Sequence, residues 1–164
     1  MRGFLFGKLP AFGDFVSRGL SVSMRSWWDR WCSEAVLDAR VRLGDDFEAR
    51  CLATAPRRFL VAPLADCDPW QAGCLHASSD RSGRVFPFVL GVAASERIDA
   101  TDAVLFGERL ASCAERAFAP QVDLDALISA AEHAAGTAAA GRPLEPIVAG
   151  DRGWIGGNVH ELEN

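Results

Sequence analysis

The sequence predicts an α/β fold in which helices pack on both faces of a mixed, partly antiparallel sheet. Three observations carry this prediction. Apolar residues recur at helical spacing in two segments early in the chain and two late in it, with a run of short strand-like stretches between them. Two of those stretches flank a tight turn, so their strands must be antiparallel neighbours. The first strand-like stretch is separated from that hairpin by helices, which predicts a mixed sheet. The 164 residues fit one domain, and a domain of this size buries about 68–70% of its unfolded surface. The expected organisation is a single domain over residues 1–157 and a polar C-terminal tail over 158–164.

Each element has a local reason. Phe4 to Phe6 is short, apolar and bracketed by Gly3 and Gly7, the pattern of a buried strand. A loop, Lys8-Leu9-Pro10-Ala11-Phe12-Gly13-Asp14-Phe15, follows it. Ser21 or Ser23 caps a helix that runs to Leu43 and stops at Gly44. Met24, Trp28, Trp31, Ala35 and Ala39 form its apolar stripe, while Arg25, Asp29, Arg40 and Arg42 point elsewhere. This places Trp28 and Trp31 in the core and leaves Trp27 as a candidate exposed anchor for a partner. A second helix, Asp46 to Thr54, ends before Pro56, because proline disfavours helical geometry in the residue ahead of it. Phe59 to Ala62 reads as a strand and Asp66 to Pro69 as a turn. Gly73 to Ser79 and Arg84 to Ala93 form the hairpin around Asp80-Arg81-Ser82-Gly83, with Gly83 supplying a positive φ.

Helical period returns at Asp102, with Phe106, Leu110, Cys113, Ala114 and Ala117 sharing a face. Another helix, capped by Asp123, carries Leu124, Leu127, Ile128, Ala131 and Ala135. Beyond Gly136 the chain turns Ala- and Gly-rich and then irregular, with Trp154-Ile155 as a last short strand.

Composition narrows the function. The chain is 49% hydrophobic with five Trp, ten Phe and no Tyr, and its formal net charge is −5. No basic stripe is visible, and nucleic-acid binding needs one to displace phosphate counterions. No apolar run approaches the roughly 20 residues that span a bilayer, and the apolar start is too short for a signal peptide. Five cysteines, odd in number and without C-x-x-C spacing, predict free thiols in a reducing, cytoplasmic setting. The same spacing argues against structural zinc.

Two polar, glycine-rich stretches exceed what folding demands: Gly7 to Leu20, and Ser78 to Pro87. The first is no phosphate-binding loop, because Lys8 precedes the loop and Pro10 removes an amide donor. Asp14 and Asp80 could serve a small metal-dependent hydrolase or a nucleotide-binding enzyme if they met in one pocket. Nearby arginines, Arg18 for Asp14 and Arg81 or Arg84 for Asp80, offer ion pairs instead. His76 and Cys74 share a strand face but lack a third orienting group, and no G-x-S-x-G nucleophile turn exists. No catalytic centre, cofactor or metal site is therefore expected. Lys8, Asp14, Arg18, Asp80 and Arg84 are expected to organise the two loops or contact a partner, with Asp14 and Asp80 closing turns on their own backbone. Arg18 and Arg84 are then placed to reach across between the loops.

The string G-F-L-F-G-K-L-P-A-F-G-D-F-V-S-R-G-L, then W-W-D-R-W, then S-S-D-R-S-G-R-V-F-P-F, resembles the TagF family associated with type VI secretion. The matching positions are Lys8, Pro10, Gly13, Asp14, Phe15, Arg18, Trp28, Asp29, Trp31, Ser78, Asp80, Gly83, Arg84, Phe86 and Pro87. Continuous resemblance covers residues 3 to 94. It implies an α/β/α sandwich and a non-enzymatic, post-translational repressor of type VI secretion in Gram-negative bacteria. Implied partners are the forkhead-associated scaffold Fha and the membrane subunit TssL, with recruitment to the inner-membrane complex and no direct membrane insertion. Some relatives carry a fused PP2C-type phosphatase, for which this chain is expected to have no room.

Overall fold

The computed structural model describes residues 1–63, 68–136 and 154–156. In chain order these form β1 (Arg2–Gly7), β2 (Val16–Arg18), α1 (Val22–Leu43), α2 (Phe47–Leu52), β3 (Arg57–Val61), β4 (Trp70–Ser79), β5 (Val85–Ala94), α3 (Ala100–Ala114), α4 (Leu124–Gly136) and β6 (Trp154–Gly156). The fold is α/β. The strands make one sheet in the order β2-β1-β5-β4-β3-β6.

Every pairing in that sheet is antiparallel, which corrects the expected mixed sheet. The reason lies in β2, a three-residue strand inside a stretch too polar to read as one. It folds back on β1, pairing Phe6 with Ser17, and so reverses the chain before the first helix begins. The helices then carry the chain across to β3, two strands beyond β5, without creating a parallel neighbour.

Side chains alternate along a strand, and this alternation sorts the core. Phe4 and Phe6 of β1 and Val89 of β5 pack with Met24, Trp28 and Cys32 of α1. Leu5 of β1, Ala72 and Cys74 of β4, and Phe88, Leu90 and Val92 of β5 pack instead with Phe106 and Leu110 of α3 and Leu127 and Ala131 of α4. Gly73 and Gly91 face each other across β4 and β5. A Cβ on Gly91 would lie 2.5 Å from the Phe4 ring, and one on Gly73 would lie 3.0 Å from the Phe59 ring. The paired glycines make room for two aromatic rings.

The helix ends follow capping chemistry. Ser21 Oγ accepts from Met24 N at 3.2 Å and starts α1. Asp99 Oδ1 accepts from Asp102 N at 2.8 Å, so α3 begins at Ala100, ahead of the expected Asp102. Asp123 Oδ1 accepts from both Asp125 N and Ala126 N, each at 3.0 Å, and opens α4. The second helix is shorter than expected: Gly44–Asp46 is a 3-10 turn, and α2 closes at Leu52.

Trp28 is fully buried and dominates the attachment of α1. An aromatic ring of this kind buries about 150–250 Å², worth about 4–6 kcal/mol at about 25 cal/mol per Å². Its indole Nε1 donates to Gln71 Oε1 at 2.9 Å, so the polar edge is satisfied as well. Trp31, expected in the core, is only half-buried, packing at the margin of the same cluster; Cys32 takes the central position instead. The turn at Asp66–Pro69 falls partly, and Cys67, the stretch after Gly136 and the 158–164 tail fall wholly, outside the described residues apart from β6.

Candidate functional site

The two polar loops meet at one end of the sheet because β1 and β5 are neighbours. Lys8 follows β1 directly, and its N–H donates to Pro87 O of β5 at 3.4 Å. The β4–β5 turn, residues 80–84, therefore lies beside the loop that follows β1. Close approach of these two backbones needs glycine at position 7. Gly7 has φ 129°, and a Cβ there would sit 2.0 Å from Pro87 O.

Asp80 organises the junction. Its Oδ1 accepts from Ser82 N at 2.9 Å, Ser82 Oγ at 2.7 Å and Arg84 N at 3.1 Å. Its Oδ2 accepts from Lys8 Nζ at 2.9 Å and Arg84 Nε at 2.7 Å. Five donors on a group with about four lone-pair sites leave no acceptor capacity unused. The Asp80 side chain is inaccessible to solvent, and that of Lys8 is 9% exposed. Hydrogen bonding to the Ser82 hydroxyl, then to Lys8 and Arg84, holds the Asp80 carboxyl well below the usual carboxylate range, against the opposing effect of burial.

Beyond the Lys8–Asp80 pair, three further bonds cross between the loops. Arg81 N donates to Phe12 O at 2.9 Å, Arg81 Nη2 to Ala11 O at 3.3 Å, and Arg84 Nη2 to Gly13 O at 3.3 Å. The last of these places the Arg84 guanidinium where the sequence puts it, bridging the loops. Phe15 lies across the Lys8 ammonium, with Nζ 5.0 Å from the ring centroid. The same ring stacks on Phe6 at 5.8 Å and meets Phe86 edge-on at 4.8 Å.

The other expected site residues make no hydrogen bond to Asp80. Asp14 is exposed, and its Oδ1 accepts from Phe15 N at 2.7 Å. It does not pair with Arg18. That arginine donates to Ser17 O at 2.9 Å and approaches Asp125 of α4 at 3.8 Å, both groups well exposed. Arg18 therefore corrects the expectation of a second bridging arginine: β2 formation turns it towards α4. Trp27 is half-buried at the margin of the α1 cluster, edge-on to Trp28 at 4.9 Å and stacked over Trp31 at 6.4 Å, so its aromatic pairs lie within α1. Sequence reasoning missed Ser82, which supplies two of the five bonds to Asp80. The D-x-S-G turn was its signal, since a serine two residues after an aspartate closes an Asx turn.

Two thiols, Cys32 and Cys74, lie in the core. Burial pushes both thiols far up, with Asp29 adding to the effect at Cys32 and Cys113 at Cys74. Burial likewise lowers the His76 pKa, against the nearby Glu115. His76 rests on Phe118 with centroids 5.6 Å apart, and its Nε2 is one of three buried side-chain atoms without a hydrogen-bond partner among the described residues.

A family model described as the TagF N-terminal domain, type VI secretion system-associated, matches residues 4–136. The chain belongs to this family. The match runs from β1 to α4, so both loops and the tryptophan-rich helix of this TagF domain lie within it. Among solved structures, PA0076 from Pseudomonas aeruginosa PAO1 is similar, with 26% sequence identity and a TM-score of 0.68. The match covers 88% of the TagF domain chain and 64% of the PA0076 chain. No curated protein matches. Among the described residues, no helix is long and apolar enough to cross a membrane.

Proposed function

We propose that this TagF domain is a non-enzymatic regulator that represses type VI secretion after translation, through protein–protein contacts. The observation that carries the non-enzymatic reading is the saturation of Asp80. A hydrolase or nucleotide enzyme built on Asp14 and Asp80 needs Asp80 to bind a metal or move a proton. Both Asp80 oxygens are instead committed to loop organisation, and Asp14 belongs to a different local turn. What remains on the surface is a cross-braced pair of loops, the kind of rigid platform on which recognition residues are best placed.

We further infer a three-layer α/β/α sandwich, with α1 on one sheet face and α3 and α4 on the other. The alternation of β1 residues between the two core clusters supports it. The partners this reading favours are cytoplasmic or inner-membrane components of the apparatus, the scaffold Fha and the subunit TssL. The domain would act in the cytoplasm and be recruited to the membrane complex. Deleting the gene in its native bacterium and measuring secreted type VI substrate tests the regulator role, with affinity capture identifying the partner. Deregulated secretion in the deletion strain is the expected result. Unchanged secretion would sink the repressor reading.

A further inference from the structure

We infer that Phe15, on the loop that Arg81 and Arg84 brace, is the docking anchor of this domain, and that its partner presents an acidic segment bearing a large apolar side chain. This inference rests on the binding-regulator reading above and names its surface and partner chemistry.

The first support is an aromatic ring that is exposed yet held rigid. Phe15 is 44% exposed, although Phe6, Phe86 and the Lys8 ammonium fix it from three directions. An exposed ring that is already immobilised loses little conformational entropy on binding, and this favours affinity. Aromatic residues and arginines are the side chains that dominate interface energetics.

The second support is charge. The molecule as a whole is acidic, at −5. At the loop junction Lys8, Arg81 and Arg84 outnumber Asp14 and Asp80, leaving one excess positive charge. Asp80 is shared by Lys8 and Arg84, so that group keeps one positive charge with its exposed end at Arg84, while Arg81 and Asp14 are exposed with opposite signs. Each arginine uses its Nη2 to brace the facing loop, Arg81 on Ala11 O and Arg84 on Gly13 O, and this holds its guanidinium against the loop that carries Phe15. A pre-positioned guanidinium recognises carboxylates through its fork geometry. A local cationic excess on an acidic protein steers an acidic partner to this end and repels the rest of the surface from it.

The test is selection of random displayed peptides on the whole chain, followed by affinity measurement of the winners on variants. The selected peptides should combine Asp or Glu with Leu, Phe or Trp. Phe15→Ala and, separately, Arg81→Glu should each weaken their binding about tenfold or more, equivalent to about 1.4 kcal/mol. Arg81 makes two contacts with the facing loop and none with Asp80, so Arg81→Glu keeps the Asp80 network and guards against a misfolded Phe15 variant; melting temperatures report on both. Basic or purely polar winners, or acidic winners indifferent to both changes, would overturn the inference. Re-expressing the same two variants in the deletion strain separates the two readings. Secretion deregulated by deletion but restored fully by both variants overturns the Phe15 surface and spares the regulator. Secretion indifferent to deletion overturns the regulator itself.

Discussion

Asp80 accepts five hydrogen bonds, and Asp14 accepts one from its immediate neighbour, so two aspartates in similar glycine-rich loops carry very different loads. Asp80→Asn should lower the melting temperature clearly, because the amide puts an N–H where a donor now points and leaves Lys8 buried without a counter-charge. Asp14→Asn should leave melting unchanged; thermal denaturation of both variants checks the contrast. The Asp80 carboxyl is held below its ordinary range, so its contribution is complete above the unfolded-state pKa of about 3.9. It is lost only as pH falls below that value towards the depressed folded-state pKa. The gap between wild type and Asp80→Asn should therefore persist from pH 7 to 5 and narrow in stronger acid. His76 gives a separate acid sensitivity. Burial lowers its pKa in the fold, whereas the unfolded chain takes up a proton around pH 6.5. Stability must fall as pH drops through that value. Urea midpoints at pH 7.5 and 5.5 should differ less in His76→Phe than in the wild type.

At the scale of elements, the β4–β5 hairpin and the aromatic rings laid over it form the rigid centre. Gly91→Ala drives a methyl into the Phe4 ring and towards Ala72 O, where backbone on the neighbouring strand cannot yield. Overpacking of this kind costs about 1–3 kcal/mol, and urea denaturation should show a midpoint shift with little change in slope. Helix α1 is held differently. Val22, Leu37 and Val41 are strongly exposed, and Met24, Trp28 and Cys32 are its buried residues. It is attached through a narrow line of side chains in which Trp28 matters most.

Across the whole molecule, protection should follow position in the sheet. β4 and β5 lie centrally with partners on both sides, whereas β2 offers three residues at one edge. Native-state hydrogen exchange should find much slower amides in β4 and β5 than in the edge strand β2, since local opening requires less area to be exposed at an edge. Uniform protection across the sheet would contradict this layering. Functionally, the loops of the candidate site are anchored on β1, β4 and β5, the best-paired strands, so the platform inherits their rigidity.

Much of this was legible in the residues. Periodicity located α1, α3, α4, the hairpin and the first strand, because apolar spacing is a local property of the chain. The turn chemistry of Asp80 and Gly83 was readable for the same reason, as was an arginine partner for Asp80, Arg81 or Arg84, of which the structure takes Arg84. The family motifs pointed to type VI secretion, and the family match over residues 4–136 agrees. The all-antiparallel pairing, the strand at Val16–Arg18, the diversion of Arg18 to Asp125 and the half-buried state of Trp31 were not legible. Each depends on which distant segment lies alongside, and pattern within a segment carries no information about that. The two loops are 65 residues apart between Phe15 and Asp80. The sequence by itself determined that both loops are special; β1 lying beside β5 decided that they are one site, because strand neighbours are chosen by packing and not by order along the chain.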